Sequence, residues 1–297
     1  MKILILANPH SGRGRALRLG ERAAVHAQAL GSSSLIIAEE SASASLNSAD
    51  AVIRATTMEP FDAILVVGGD GSIHQALPLI ASHQIPMAVI AAGTGNDLAK
   101  TIGVLHRSPE QVIEGMHSSS PLPHDLGLVT HSLGTTLFIQ VLSTGFDSIV
   151  NERANSYSRL RGKFKYVVAT LREILTFRAK QFHFSVDGSE YRHEAMLLAV
   201  ANGSNYGGGM QIVPPADPRD GILHLLLLKK IHTLEFLRVF PRVFTGKHIT
   251  HRAVEILSGA KIDIKADVTA YADGERVGPL PISVTVLPGA IKVWNLS

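Results

Sequence analysis

The sequence predicts an α/β N-terminal domain, a parallel sheet with crossover helices, followed by a mainly antiparallel β-sandwich second domain. Three observations carry that expectation. In the first part of the chain, short apolar runs alternate with helix-like stretches, the pattern of strands joined by crossover helices. Later come short apolar runs separated by turn residues, with a hairpin signal at Asp187-Gly188. Two glycine-rich loops, GGDGS at 68–72 and GTGND at 93–97, stand where apolar runs of the first part end.

The elements read in order as follows. Lys2–Ala7 is a strand, NPHSGRG at 8–14 a loop, and Arg15–Leu30 an Ala-rich helix. Leu35–Ala38 is a second strand, and Ala49–Thr57 is part of a helix. Ala63–Val67 is a third strand, followed by GGDGS and a helix opened by Ser72. Pro86–Ala92 is a fourth strand, followed by GTGND and a helix from about Asn96. Further on, FHFSVDGSEYRHEAMLLAVANG at 182–203 holds two strands and a tight turn. ILHLLLLKK, AVEILSG, AKIDIKA, VTAYADGERV and PISVTVLP continue as short strands. Helical segments interrupt them near Phe164–Lys180 and Thr233–Thr245. The boundary is expected near Asp125–Val129. That gives an α/β domain over 1–127, a β-sandwich domain over 128–288, and an apolar tail at 289–297 returning to the first sheet.

Bulk composition narrows the function classes. The chain has 297 residues, 45% hydrophobic and 18% charged, which describes a globular protein with a sizeable core. A net charge of +3 gives no nucleic-acid footprint. There are no cysteines, so disulfides, thiolate zinc sites and cysteine nucleophiles are excluded. No run approaches the roughly 18 apolar residues of a membrane span. The start, MKILILANPH, is too brief for a secretory signal. The expected location is therefore the cytoplasm, with peripheral contact at the inner membrane face. Two basic groups interleaved with large apolar residues fit such contact. One is Arg159, Arg161, Lys163, Lys165, Arg172, Arg178 and Lys180; the other is Lys229, Lys230, Arg238, Arg242, Lys247 and Arg252. Both also read as solvated helix faces over a core. An edge strand of the β domain could pair two subunits into a homodimer.

The glycine loops read as phosphate sites. Glycine lets backbone N–H groups approach a phosphate closely, and a helix N-terminus adds favourable partial charge. Asp70 then reads as a partner of magnesium on a nucleotide, since magnesium takes carboxylate and water oxygens. Asp97 is a second carboxylate at a neighbouring strand end. Simple turns, with Ser72 and Asp97 capping helices, are the plain alternative. No G-x-x-x-x-G-K-[ST] P-loop occurs, and Gly12-Arg13-Gly14-Arg15-Ala16-Leu17 lacks the last glycine of a dinucleotide fingerprint. His248 and His251 have no acidic third ligand and read as surface histidines.

These residues resemble a known family. GGDGS with GTGNDLA at 93–99 resembles the diacylglycerol kinase catalytic domain in its bacterial soluble lipid-kinase branch, related to sphingosine and ceramide kinases. NPHSGRG resembles that family's N-terminal Asn-Pro nucleotide loop. VANGSNYGGGMQIVPPADPRDGIL at 200–223 resembles its Asn-Gly, Gly-Gly-Gly and Asp-Gly region, and DGE at 273–275 its late catalytic turn. The resemblance implies an ATP-dependent lipid kinase, with ATP and Mg2+ as cofactors, a lipid alcohol such as diacylglycerol as acceptor, and a cleft between two domains. It places Asn8, Pro9, His10, Ser11, Gly12, Gly68, Gly69, Asp70, Gly71, Ser72, Thr94, Asn96 and Asp97 around the nucleotide. It implies an acidic network of Asp70, Asp97 and Asp125 around the catalytic magnesium. It implies a structural metal held by Asp220 with the carbonyls of Asp217 and Ile222. Glu275 would be the general base, and Asp70, in the magnesium network, the other catalytic residue. The family's threonine after the second strand is absent; the region reads Ala38-Glu39-Glu40-Ser41. Taken alone, the three Asp-Gly pairs at 187–188, 220–221 and 273–274 are hairpin turns. Two other readings stand beside the lipid kinase. One is a soluble-substrate kinase of the NAD kinase or phosphofructokinase type; the other is a non-catalytic nucleotide- or lipid-binding relative.

Overall fold

The computed structural model describes residues 1–56, 58–145 and 178–297. They form two compact units, Met1–His124 with Gly289–Ser297, and Asp125–Pro288. The basic group from Arg159 to Arg172, and nearly all of the helix expected over 164–180, lie outside the described residues.

The first unit is built on parallel strands in the order β2 (Ser33–Ile37), β1 (Lys2–Ala7), β3 (Ala63–Gly68) and β4 (Met87–Ala91). Strands covered on both faces read as unbroken apolar runs, and β3, AILVVG, is buried at all six positions. The helices are α1 (Arg15–Ala29), α2 (Ala42–Ala55), α3 (Asp70–His83), α4 (Asp97–Thr101) and α5 (Pro109–Ser118). On α1, Gly20 lets the helix lie close to β1; a Cβ there would touch Ala7 and Ile5 at 3.4 Å. The sequence reading passed over α5. Ser108 nevertheless opens it with a capping box, its hydroxyl accepting from the Gln111 N–H while the Gln111 side chain accepts from the Ser108 N–H. Residues 289–297 complete this unit. Val293 pairs with Met87 in parallel, the Trp294 N–H donates to the Met87 carbonyl, and the Leu296 N–H donates to the Ile102 carbonyl.

The second unit is antiparallel. It contains β5 (Leu122–His131), whose first residues belong to the first unit, β6 (Gly134–Phe138), β7 (Val141–Gly145), β8 (Lys180–Val186) and β9 (Ser189–Ala201). It continues through β10 (Asn205–Tyr206), β11 (Met210–Gln211), β12 (Leu223–Lys229), β13 (Val254–Gly259) and β14 (Lys261–Lys265). Then follow β15 (Thr269–Ala272), β16 (Glu275–Pro279) and β17 (Ile282–Val293), the last of which ends in the first unit. The main ladder runs β16-β15-β7-β9-β8-β14-β17, with β12 joining β9 to β13. Two cores lie on opposite faces of β9 and β12. Leu198, Val200, Leu225 and Leu227 enter one; Leu197, Ala199, Leu226 and Leu228 enter the other. Alternation along a strand thus explains the unbroken leucines of β12, since both faces are covered. Helix α6 (Thr233–Val239) and the 3-10 turn Phe240–Thr245 cover the second core with Phe236 and Val243. Lys180 opens β8, so the helix expected over 164–180 does not include its last residues 178–180.

Candidate functional site

In the first unit three loops meet beyond the carboxyl ends of β1, β3 and β4. This is where ligands bind in open α/β sheets. The GGDGS and GTGND loops touch through bare backbone. A Cβ on Gly69 would lie 2.9 Å from the Gly93 Cα, and one on Gly93 would lie 2.5 Å from the Gly69 Cα. The Ala92 N–H donates to the Gly68 carbonyl at 2.8 Å, fixing the approach. Asn96, in the left-handed region at φ 58°, closes the second loop by exchanging two side-chain bonds with the Gly93 main chain at 3.0 and 2.9 Å. Thr94 stands exposed at its tip.

One expectation is corrected here. Ser72 does not open the helix. Helix α3 starts two residues earlier, with Gly69 at its N-cap and Asp70 in its first turn. An acid there is favoured by the helix dipole. The Ser72 hydroxyl serves instead as a meeting point of the GGDGS loop with the Asn8–Gly12 loop. It accepts from Asn8 Nδ2 at 3.1 Å and lies 3.4 Å from the Ser11 hydroxyl. Gly68 must be bare for this, because a Cβ would lie 2.5 Å from Ser72 Oγ.

The Asn8–Gly12 loop folds over its own side chain. Asn8 Oδ1 accepts from the His10 N–H at 2.9 Å, and the Ser11 N–H donates to the Asn8 carbonyl. Gly12 takes φ 60° and lies so close to the Ala92 carbonyl that a Cβ would sit 2.5 Å from its oxygen. The His10 ring contacts the Glu40 carbonyl at 2.9 Å, which ties this loop to the segment where the family's threonine is missing. A pocket opens beside the loop, lined by Leu6, Asn8, Pro9, Leu46, Ser72 and Gln75 among others. It has an apolar wall from β1 and β3 and a polar rim.

Two acids of this unit, Asp70 and Asp97, converge. Asp70 Oδ1 accepts from the Leu98 N–H at 3.3 Å. The other Asp70 oxygen and Asp97 Oδ2 lie 2.6 and 3.9 Å from where a Gly95 Cβ would stand. Asp97 is buried. Among the described residues no three His, Cys, Asp or Glu side chains form a complete metal cage. Magnesium needs no such cage, because it keeps waters and takes one or two carboxylates together with phosphate oxygens. The paired hard oxygens of Asp70 and Asp97, next to bare backbone, fit that donor set.

The remaining acids of the expected site, Asp125, Asp217, Asp220 and Glu275, belong to the second unit. Asp125 is buried, and its Oδ2 accepts from the Gly221 N–H at 2.7 Å. Asp220 Oδ1 accepts from the Ile222 N–H at 2.9 Å. The Asp217 carboxylate is taken by a two-pronged Arg219 contact at 2.9 and 3.0 Å, which raises the guanidinium pKa above its ordinary value. Glu275 is exposed at the first position of β16, beyond the Asp273-Gly274 turn. Sequence reasoning missed the polar brace at 139–141. Asn202 is fully buried and its Nδ2 donates to the Asp125 and Ile139 carbonyls at 2.9 and 2.8 Å. Its Asn-Gly dipeptide was the available signal. His248, expected at the surface, is buried; Nε2 meets the Ile212 carbonyl at 2.9 Å, and desolvation pushes its pKa down.

The chain thus carries glycine loops and two carboxylates on a parallel-sheet unit, and an antiparallel β unit. Comparison with known proteins shows the family. Residues 2–129 match the model of the diacylglycerol kinase catalytic domain, and residues 140–295 match the YegS C-terminal NAD kinase beta sandwich-like domain. A diacylglycerol kinase of Mycobacterium tuberculosis is 32% identical over 98% of this chain and 94% of its own. A diacylglycerol kinase of Bacillus subtilis is 26% identical over 77% of this chain and 76% of its own. A solved Bacillus anthracis structure described as a diacylglycerol kinase is 18% identical and matches the fold with a TM-score of 0.72, over 99% of this chain and 96% of its own. The chain belongs to the diacylglycerol kinase family, and it is a kinase.

Proposed function

We propose that the protein transfers the γ-phosphate of ATP to the hydroxyl of a lipid alcohol, diacylglycerol or a close relative. The observation that carries this reading is the convergence of Asp70 and Asp97 beside the Gly69–Gly93 contact. Phosphoryl transfer depends on positioning and charge neutralisation more than on covalent help from the protein. Main-chain amides of the GGDGS loop hold phosphate oxygens, and the pocket beside Asn8 takes the uncharged part of the nucleotide. Asp70 and Asp97 would hold Mg2+, which when bound neutralises phosphate charge. Glu275 takes the proton as the alcohol oxygen bonds to the γ-phosphorus and the bond to the bridging oxygen breaks. The products are ADP and a phosphorylated lipid.

A lipid acceptor also requires access to a bilayer. On α6 and the following turn, Leu234 and Phe244 are 71% and 52% exposed. Arg238, Arg242 and Lys247 stand beside them without a carboxylate partner among the described residues, whereas Lys229, Lys230 and Arg252 are paired with Glu255, Glu194 and Glu235. We assign this face to contact with anionic lipid.

The assay uses purified protein, labelled ATP and magnesium against a panel of lipids in mixed micelles, with NAD and sugar phosphates alongside. Label should appear in a lipid alcohol only. Label in NAD or a sugar phosphate would move the protein to the soluble-substrate class. Glu275→Gln should bind ATP normally and lose turnover by about 100-fold or more; wild-type turnover would remove the base assignment.

A further inference from the structure

We infer that Asp273 is a positioning residue for this reaction, holding Glu275 through a hydrogen-bonded brace made by residues 139–141. The inference rests on the reading of Glu275 as the base. Asp273 sits in the left-handed region at φ 51°, followed by Gly274 at φ 89°, so the chain reverses in two residues and Ala272 pairs with Glu275. Such a turn fixes the backbone direction at Glu275 but does not fix the hairpin tip in space. Asp273 supplies that. Its Oδ2 accepts from the Ile139 N–H at 2.9 Å, and its Oδ1 accepts from the Gln140 and Val141 N–H groups at 2.9 and 3.1 Å. The Asp273 N–H returns a bond to the Val141 carbonyl at 2.9 Å. An ionised carboxylate accepting three successive amides makes charge-assisted bonds of the stronger kind.

The brace is itself held from behind. Asn202 Nδ2 donates to the Ile139 carbonyl, while the N–H groups of Asn202 and Gly203 both donate to the Gln140 carbonyl at 2.9 and 3.0 Å. The same Asn202 amide reaches the Asp125 carbonyl, and the Asp125 carboxylate grips the Gly221 N–H. The hairpin tip is thus fastened to a buried frame, while Glu275 remains exposed two residues beyond the anchor. The second unit contains its own control. Asp187-Gly188 makes the same kind of reversal at φ 47° and 84°, and the Asp187 carboxylate accepts from the Ala260 and Lys261 N–H groups. That turn is followed by Ser189, not by an acid.

The test compares Asp273→Asn, Asp187→Asn, Glu275→Gln and the double variant Asp273→Asn/Glu275→Gln in the full chain. Each is measured for melting temperature, for KM of ATP and for kcat with the lipid acceptor. Asp273→Asn should lower kcat by about 100-fold with KM for ATP unchanged. Asp187→Asn should lower the melting temperature to a comparable degree and leave kcat unchanged. A residue that acts only through Glu275 adds nothing once Glu275 is gone, so the double variant should be no slower than Glu275→Gln. Wild-type kcat in Asp273→Asn, or independent losses that multiply in the double variant, would overturn the inference while leaving Glu275 as the base. Wild-type kcat in Glu275→Gln would instead overturn the reading on which it rests.

Discussion

Gly69 and Gly93 show at single-residue scale why the motif needs the amino acids it has. Their Cα atoms face each other with no room for a methyl group on either side. Gly93→Ala would place a Cβ 2.5 Å from the Gly69 Cα and 2.9 Å from Asn96 Oδ1. Both neighbours are held by hydrogen bonds, so the loops must part. We expect a loss of about 1–3 kcal/mol in stability and a weakened ATP affinity, measured by thermal melting and calorimetric titration; unchanged binding would show that loop spacing does not set the phosphate cradle. The glycines and Asp70 were legible in the sequence because each local constraint leaves a residue-type signature. The role of Ser72 was not. Its hydroxyl finds Asn8 and Ser11 more than sixty positions away, and no local pattern records that distance. His248 was misread for the same reason, since the Ile212 carbonyl and the core that bury it come from elsewhere in the chain.

At the scale of elements, the parallel strands were readable as unbroken apolar runs and the later strands as short runs between turn residues. Helix α5 was passed over even though Ser108-Pro109-Glu110-Gln111 spells a capping box followed by a helix. Strands β5 to β7 were harder. Ser143 and Thr144 are polar yet buried, because each hydroxyl finds a partner; the Ser143 hydroxyl lies 3.2 Å from the Tyr206 hydroxyl and the Thr144 hydroxyl donates to the Leu198 carbonyl at 2.9 Å. Hydrophobic patterning cannot flag such residues as interior. The α6 face carries its own prediction. Phe236 anchors the segment in the core and stacks edge-on with Phe240, which in turn meets the exposed Phe244. Replacing Arg238, Arg242 and Lys247 together by alanine should reduce sedimentation with anionic vesicles, by about 1 kcal/mol per cation removed, and leave ATP binding intact. Equal sedimentation with neutral and anionic vesicles in the parent protein would remove the assignment.

For the whole molecule, the last nine residues matter most. Gly289–Ser297 belong to the first unit although the chain reaches them through the second. Trp294, the only tryptophan, is buried and donates from Nε1 to the Ser119 carbonyl at 3.2 Å. Leu296 fills the space over Gly115, where a Cβ would collide with it at 2.5 Å. Trp294→Ala should cost the first unit about 3–5 kcal/mol, measured by urea unfolding followed by circular dichroism; an unchanged midpoint would mean that the tail does not support that unit. By itself the sequence determined the kind of elements, their order, and the loops that carry the glycines and the two acids. Those features follow from side-chain periodicity and from backbone conformations that few residues tolerate. Only the tertiary structure decided which polar groups brace one another: Ser72 with Asn8 and Ser11, Asp70 with the α4 amide, and Asp273 with Asn202 through the 139–141 brace. Hydrogen bonds between distant segments depend on how the chain packs, and packing is a property of the whole sequence rather than of any stretch of it.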